Sequence, residues 1–196
     1  MPNPHGRPAA GTSTRADDAT ALKALTHPLR VRMLGHLRLH GAATASELGR
    51  VFGESSGATS YHLRQLERFG FVTAAAEQPS RRERRWQAAA ESTEFDLVAD
   101  DPTAREAIDV LVRRQIETLV EGVTRRQREA ASWPREWSAA HFSDDYAVRL
   151  TPDALHRVQA VVESALRQER VADVDDPAAR LVLVHLHSYF APGEQP

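Results

Sequence analysis

Apolar residues recur at helical spacing between Ala19 and Gly70, and this spacing predicts four short helices. The first helix is expected to stop at His27, since the residue before a proline avoids the helical region of backbone conformation. Pro28 suits the first turn of the next helix, where its missing N–H would be unpaired anyway. The predicted helices span residues 19–27, 28–41, 44–53 and 55–70.

The pattern changes after Gly70, a glycine well placed to end the fourth helix. Residues 71–74 and 84–88 are typical of strands, and the polar residues 77–83 between them are typical of a loop. Short helices followed by a β-hairpin predict a winged helix-turn-helix domain. Its two-helix motif would consist of the third and fourth helices.

The second half of the chain predicts a different arrangement. A long helix is expected from Pro102 to about Ala131, with apolar residues at steps of four, four, three and four. An irregular aromatic segment follows it. Residues 146–150, 151–166 and 181–190 are then expected to form a strand, a helix and a strand. The apolar stripe of the long helix comprises Ile108, Val112, Ile116, Leu119 and Val123.

The predicted fold is mainly α with a small amount of β structure. A winged helix-turn-helix domain is followed by a long dimerisation helix and a small strand-helix-strand α/β domain. We expect a disordered tail over residues 1–18 and the winged domain over residues 19–90. The dimerisation helix and a C-terminal regulatory or scaffold domain would occupy residues 91–196.

Charge is divided unevenly along the chain, although the net formal charge is only −2. Residues 20–90 carry eleven basic and five acidic side chains, whereas residues 91–196 carry twelve basic and twenty acidic ones. A basic domain beside an acidic one favours an anionic partner for the first, with double-stranded DNA as the leading candidate. Two ordinary solvated surfaces are the alternative interpretation of the charge alone.

The composition argues against several classes of function. The chain has no cysteine, which excludes disulfides, thiolate metal sites and cysteine nucleophiles. It contains no Gly-x-Ser-x-Gly elbow, phosphate-binding glycine loop or His-Glu-x-x-His motif, so we expect no enzyme. We find neither a membrane-spanning apolar run nor a secretory signal, and expect a cytoplasmic protein without a cofactor.

Polar side chains suited to reading DNA cluster in the fourth helix and the hairpin. Arg64 and Gln65, which match guanine and adenine, are expected beside Tyr61 on the exposed face of the helix. Hydroxyl groups near the helix start suit phosphates, as do arginines on a hairpin. The expected DNA contacts are Ser55, Ser56, Thr59, Ser60, Tyr61, Arg64 and Gln65 in the helix, and Arg81, Arg82, Arg84 and Arg85 in the hairpin.

Two segments of the chain resemble the arsenic-repressor (ArsR) family of bacterial winged-helix transcription regulators. One runs from Leu22 to Leu34; the other contains a Ser60-x-His62-Leu63-x-x-Leu66 core followed by Gly70-Phe71-Val72. The resemblance covers about residues 20–90 and is strongest to the branch of the family whose members carry an added C-terminal region. It implies a DNA-binding regulator, usually a repressor. The metal sensors of the family use ligands that this chain lacks, so metal sensing is not carried over.

The long helix and the aromatic segment suggest two further roles for the second half. We expect a homodimer, because the apolar stripe is too broad for one short neighbour and a single winged domain reads too little DNA for a unique site. Half-sites about 10–11 bp apart, or a multiple of that, would follow. The aromatic residues either seal the seam between layers, which is favoured, or line a pocket for a small organic effector. They are Trp133, Trp137, Phe142 and Tyr146.

Two functions from different classes remain open on the sequence alone. One is a sequence-specific DNA-binding transcription regulator that binds a palindromic operator as a homodimer. The other is a winged-helix protein-interaction module whose basic surface binds an acidic protein or the acidic second half of the same chain. The arginines of the hairpin favour the first. The pairs His36–His40 and His185–His187 have spacings that can chelate a metal, but packing roles are favoured for both, and no metal site is expected.

Overall fold

The computed structural model describes residues 8, 12–16, 18–78, 83–169 and 176–193. This part of the chain is mainly helical with small sheets, as predicted, and it divides into two units, Met1–Gln115 and Ile116–Pro196. No helix in the described ranges is long and apolar enough to cross a membrane. The elements are, in order, β1 (Ser13–Arg15), α1 (Ala19–Thr26), α2 (Pro28–His40), β2 (Ala43–Thr44), α3 (Ala45–Phe52), α4 (Ser56–Arg68), β3 (Val72–Ala74), β4 (Arg85–Ala88), β5 (Ser92–Glu94), α5 (Pro102–Glu129), a 3₁₀ turn (Ala130–Ser132), α6 (Arg135–Ala140) and α7 (Pro152–Gln168).

Side chains that cap the helices of the first unit explain where those helices begin. Asp18 caps α1, and Ser55 caps α4 by accepting a hydrogen bond from the Ala58 N–H at 3.1 Å. Thr44 and Glu47 form a reciprocal capping box at the start of α3, with bonds of 3.1 and 2.7 Å. The bond from the Thr44 N–H holds the pKa of Glu47 below its ordinary value. The predicted starts of α3 and α4 are therefore confirmed.

A three-stranded antiparallel sheet with the order β2-β4-β3 forms the wing. β3 and β4 are the strands of the predicted hairpin, with Thr73 opposite Gln87. Gln78 joins the two strands, since its amide nitrogen donates to the Ala75 carbonyl at 2.7 Å and its oxygen accepts from the Arg85 N–H at 2.8 Å. Together with α1 to α4, this sheet makes the predicted winged helix-turn-helix domain.

The hydrophobic core found in the described residues lies in the first unit. Its fully buried side chains come from α2, α3, α4 and the start of β3. The first turns of α5 also belong to this core, because Ile108 and Leu111 are only 4% and 7% exposed. The unit therefore extends to Gln115, beyond the predicted domain limit at residue 90. The large fully buried side chains include Met33, Leu37, Leu48, Leu63, Leu66 and Phe71.

The segment predicted to be a disordered tail contains a strand. β1 pairs in parallel with β5, with Thr14 opposite Thr93. Arg38 of α2 anchors the β5 region, since its side chain donates to the Ala90 carbonyl at 3.0 Å and to the Thr93 hydroxyl at 2.7 Å. Burial lowers the pKa of Arg38 to about 10, and the charge of Glu91 opposes that shift. The prediction is wrong for residues 13–15, because their partner strand is distant in sequence and they carry no apolar alternation.

The second unit contains only the helix of the predicted strand-helix-strand arrangement. That helix, α7, is capped by Thr151, whose hydroxyl oxygen accepts from the Ala154 N–H at 3.2 Å. Residues 146–150 and 181–190 are described, but neither segment forms a strand. A strand needs a neighbouring strand for its backbone hydrogen bonds, and within one chain these segments do not pair. The short helix α6 lies in the segment expected to be irregular.

Candidate nucleic-acid interface

The turn between α3 and α4 is closed by contacts that only glycine permits at position 49. Gly53 ends α3 in the left-handed conformation with φ +71°, and the Glu54 N–H donates to the Gly49 carbonyl at 2.8 Å. A Cβ atom on Gly49 would lie 2.7 Å from the Glu54 carbonyl oxygen. This close approach brings α4 against α3 as the second helix of the two-helix motif.

Thr59 fastens α4 to α3 and does not face outward. Its side chain is completely buried, and its hydroxyl lies 2.7 Å from the Ala45 carbonyl oxygen of α3, to which it donates. The prediction that Thr59 contacts DNA is therefore wrong. A signal in the sequence could have shown this, because Thr59 lies four residues before Leu63 and seven before Leu66, on the same inward stripe of the helix.

The opposite face of α4 is exposed along the length of the helix. Tyr61 is 57% exposed, Arg64 is exposed, and Ser60 and Gln65 lie half-buried at the edges of the face. Arg68, which the sequence analysis missed, continues the same stripe seven residues after Tyr61. The exposed residues at the helix start are Ser55 and Ser56. Four of the predicted DNA contacts, from Ser60 to Gln65, thus share one accessible surface.

His62 packs against the junction of α1 and α2 and does not belong to that surface. Its ring centroid lies 4.3 Å from the ring of His27, whose Nδ1 accepts the Leu29 N–H at 3.2 Å and caps α2. Burial lowers the pKa of His62, and the charges of Arg30 and of His27 in its protonated form act in the same direction. The neutral imidazole is therefore the favoured form in the folded protein.

The two described wing arginines are held by groups of their own domain. Arg84 forms an ion pair with Glu67 of α4, and its guanidinium carbon lies 4.0 Å from the centroid of the Trp86 ring. Arg85 is half-buried and donates to the carbonyl of Ala42. The prediction that Arg85 projects outward is wrong, because its guanidinium turns back to the Ala42 carbonyl, next to β2. Arg81 and Arg82 fall outside the described residues.

The apolar stripe of α5 changes environment along the helix. Ile108 is buried in the core of the first unit and Val112 packs partly against it, so neither is available as predicted for a dimer contact. From Ile116 onward the stripe lies open. Ile116, Val120 and Val123 are 48%, 57% and 41% exposed, and Leu119 is half-buried. The surface that suits a second helix is thus limited to residues 116–123.

The four aromatic residues proposed for an effector do not gather at one place. Trp133 and Trp137 are half-buried around His141, with ring centroids 4.8 and 6.4 Å from the histidine ring. Phe142 and Tyr146 are 73% and 82% exposed. The effector site stays a prediction that now concerns Trp133 and Trp137.

A cavity of about 540 Å³ in the first unit is lined by none of those aromatic residues. It lies between α1, residues 96–101 and the start of α5. Three of its four aspartate side chains have partners in the domain: Asp18 and Asp101 cap helices, and Asp96 pairs with Arg15 at 2.7 Å. No pattern in the sequence predicts this cavity, because its walls come from segments that are distant along the chain.

In each of the two histidine pairs the rings lie close together, but only His36 is half-buried, whereas His40, His185 and His187 are exposed. The rings of His36 and His40 lie 4.5 Å apart, and His36 also contacts the edge of Phe52. The rings of His185 and His187 stack 6.2 Å apart. Among the described side chains, no group of three or more metal-ligating residues comes together.

Comparisons with known proteins agree with the geometry of the motif. Residues 25–73 match a family model described as a helix-turn-helix domain, which is the kind of domain that DNA-binding transcription regulators carry. A search of curated proteins gives no match.

Solved structures show only distant similarity to the chain. HlyU from Vibrio cholerae is 22% identical, over 48% of this chain and 86% of that one, with a TM-score of 0.32. Transcriptional regulator Tm0710 from Thermotoga maritima is 16% identical, over 72% and 79%, with a TM-score of 0.32. A S. aureus MepR-DNA complex is 12% identical, over 58% and 88%, with a TM-score of 0.31. At these sequence identities and TM-scores, the solved structures do not strengthen the argument made from the geometry.

Proposed function

We propose that this protein is a sequence-specific DNA-binding transcription regulator that binds a palindromic operator as a homodimer and represses transcription. The observation that carries the proposal is the exposed face of α4, which follows a tight turn after α3 and presents Ser60, Tyr61, Arg64 and Gln65. With this function, the protein would act in the bacterial cytoplasm, where the DNA lies.

The chemistry of α4 suits the major groove. Side chains on the exposed face of a recognition helix meet the base edges, and Arg64 can bond two acceptors of guanine while Gln65 can bond adenine. The Ser55 hydroxyl accepts the capping bond from Ala58 but keeps its own proton for a phosphate oxygen. The N–H groups of the first turn face the same way and favour anions.

The wing would add phosphate contacts that carry no sequence information. The charge of Arg84 is neutralised by Glu67, and Arg85 donates a hydrogen bond to the Ala42 carbonyl. We therefore assign the phosphate contacts of the wing first to Arg81 and Arg82. Each contact of this kind should contribute about one unit to the slope of binding against salt concentration.

A homodimer would place two recognition helices on one face of the duplex. The open stripe of α5, from Ile116 to Val123, offers apolar side chains at the spacing of a helix-helix contact. Replacing both Ile116 and Leu119 by Asp should therefore give a monomer. Half-sites about 10–11 bp apart, or a multiple of that, match two-fold symmetry.

In vitro selection from random duplexes, together with the upstream region of the protein's own gene, would test the proposal. We expect one enriched palindromic sequence. Arg64→Ala should weaken binding to it by about 1–3 kcal/mol and relax the preference at one base pair. The matched control, Arg68→Ala, removes the same charge from the last turn of α4 and should leave the sequence preference unchanged.

Two outcomes would contradict the proposal. If no sequence is enriched, the winged domain is a protein-interaction module instead. If Arg64→Ala keeps both the affinity and the base preference of the parent protein, Arg64 does not read the operator.

A further inference from the structure

Two histidine rings meet where α4 packs against the junction of α1 and α2. His27 lies between those two helices, and its ring centroid is 4.3 Å from that of His62, with the ring planes inclined at 41°. The rings of His62 and Tyr61 meet edge to face, with centroids 5.2 Å apart. Tyr61 belongs to the exposed face of α4 that we assign to DNA. The two histidines therefore connect that face to the start of α2.

The hydrogen bonds at this contact suit uncharged rings. Nδ1 of His27 accepts the Leu29 N–H at 3.2 Å and so carries no proton, whereas an imidazolium has a proton on both nitrogens and accepts nothing. Nδ1 of His62 is buried, and no group among the described residues forms a hydrogen bond with it. In a charged ring this atom would be a buried donor without an acceptor, which is unfavourable. Protonation of either ring thus disturbs the contact.

The charges around the pair also favour neutral rings. Arg30 of α2 lowers the pKa of both His27 and His62, and Arg114 of α5 lowers that of His27. Glu54, in the turn before α4, acts in the opposite direction. Burial has the largest effect, and it lowers the pKa of both rings. The neutral pair is therefore the form that fits the folded domain.

The guanidinium of Arg30 is held in place beside the pair. It donates to the carbonyls of Lys23 and Ala24 in the last turn of α1, where the carbonyls at the end of a helix favour a cation. A proton gained by His27 or His62 would therefore meet a fixed positive charge. Separation of α4 from the junction relieves that repulsion, since it moves one ring away from the other and from Arg30.

Other contacts keep α4 in the fold if the two rings separate. Thr59 fastens the helix to α3, and Leu63 is fully buried in the core. His62 secures the side of the helix that faces α1 and α2. Loss of its contact with His27 would leave the domain folded but would free the neighbouring Tyr61 to shift. A binding site has to be held within about 0.5 Å of its productive geometry, so a small shift is enough to impair it.

We propose that His27 and His62 position α4 for DNA, and that they do so only while both rings are uncharged. As the pH falls from about 7.5 to about 5.5, protonation of one ring separates the pair and weakens sequence-specific DNA binding. This inference rests on the proposed function and deepens it, because it makes the recognition helix responsive to pH. The direction of the change is informative. A histidine that only added positive charge near DNA would strengthen binding to every sequence at low pH.

Binding to the selected operator and to a random duplex, measured at constant ionic strength over this pH range, would test the inference. We expect the preference for the operator, which is the ratio of the two affinities, to fall about three- to tenfold between the two ends of the range. Tenfold is the limit for one ring that titrates at the ordinary value of 6.5, and the lowered pKa of the pair reduces it. A preference that is constant, or that rises at low pH, would overturn the inference.

Three single variants and one double variant identify the rings responsible. His27→Asn keeps a side-chain acceptor for the Leu29 N–H, and His62→Phe keeps a ring against His27, but neither new side chain can be charged. Each should reduce the fall in preference at low pH, and the double variant should abolish it. The matched control, His40→Gln, removes an exposed histidine at the end of α2 and should keep the parent's pH profile. A parent-like profile in both His27→Asn and His62→Phe would contradict the proposal.

A measurement on the free protein separates this inference from the proposed function. In proton–nitrogen correlation spectra, the Leu29 amide should shift as its acceptor is lost, and the Tyr61 amide should shift with the same midpoint, below pH 6.5. Amides that titrate together in a protein that selects no DNA sequence would refute the function and keep the pH-dependent position of α4. An operator whose preference does not change with pH would do the reverse. A Tyr61 amide that does not follow Leu29 would also overturn the inference.

Discussion

Replacing Thr59 by Val tests whether this residue fastens the two helices together, as the structure shows, or contacts DNA, as the sequence suggested. The substitution keeps the volume and the branched shape of the side chain but removes its hydroxyl. Thr59 is completely buried, and the hydroxyl donates to the Ala45 carbonyl across the interface between α3 and α4. The change therefore removes one buried hydrogen bond and creates no large cavity.

The expected loss of stability follows from that single bond. A buried neutral hydrogen bond contributes about 0.5–1.5 kcal/mol net, and up to about 3 kcal/mol is lost when its partner is left unsatisfied. We expect Thr59→Val to lower the free energy of unfolding by about 1–2 kcal/mol. For a unit of this size that corresponds to a fall in Tm of roughly 4–8 °C.

Urea denaturation monitored by circular dichroism would measure the stability of the variant. DNA binding would be measured at urea concentrations well below the unfolding transition. Ser60→Ala, at the neighbouring half-buried position, should change stability by less than about 0.5 kcal/mol. Thr59→Val should be clearly less stable than this control, while the folded variant keeps most of its DNA affinity. A variant of unchanged stability and strongly reduced DNA affinity would refute the structural role and restore the DNA contact.

Two further predictions concern the same domain. Gly49→Ala should destabilise the protein by about 1–3 kcal/mol, because its Cβ would lie 2.7 Å from the Glu54 carbonyl oxygen. Gly35→Ala, with nothing within 4 Å of its Cβ, should instead stabilise the protein by about 0.5–1 kcal/mol. Thermal melts in which both substitutions shift Tm in the same direction would contradict this prediction. Burial lowers the pKa of both His27 and His62 from the ordinary value of 6.5, so the unfolded chain binds more protons, and stability should fall as the pH drops below about 7. His62→Gln should flatten this dependence in urea titrations between pH 5 and 8, and an unchanged slope would show that His62 does not contribute.

The helices of the winged domain could be predicted from the sequence because their signals are local. Pro28 starts α2, Thr44 with Glu47 starts α3, and Gly70 follows α4 with φ +73°. Each signal acts through the backbone within one helical turn, so it operates whatever the rest of the chain does. The exposed face of α4, with Tyr61 and Arg64, followed from the same periodicity.

The errors concern contacts between segments that are distant in sequence. β1 forms only because β5 lies beside it, and Arg85 turns to the Ala42 carbonyl only because β2 lies next to β4. Ile108 has the same apolar character as Ile116, yet one is buried in the core and the other is 48% exposed. Periodicity shows which side of a helix is apolar, but it does not show what covers that side.

By itself, the sequence determined the local structure of this protein: the helix limits, the hairpin, and the chemical character of each helix face. Local backbone preferences and capping bonds are complete within a few residues, so no knowledge of the fold is needed to use them. The tertiary structure alone decided which polar groups are free to meet DNA. Arg85 is chemically suited to phosphates, but the pairing of β2 with β4 commits its guanidinium to the Ala42 carbonyl. Helical periodicity already places Thr59 on the inward side of α4, whereas its acceptor, the Ala45 carbonyl, is set by the packing of α3 against α4.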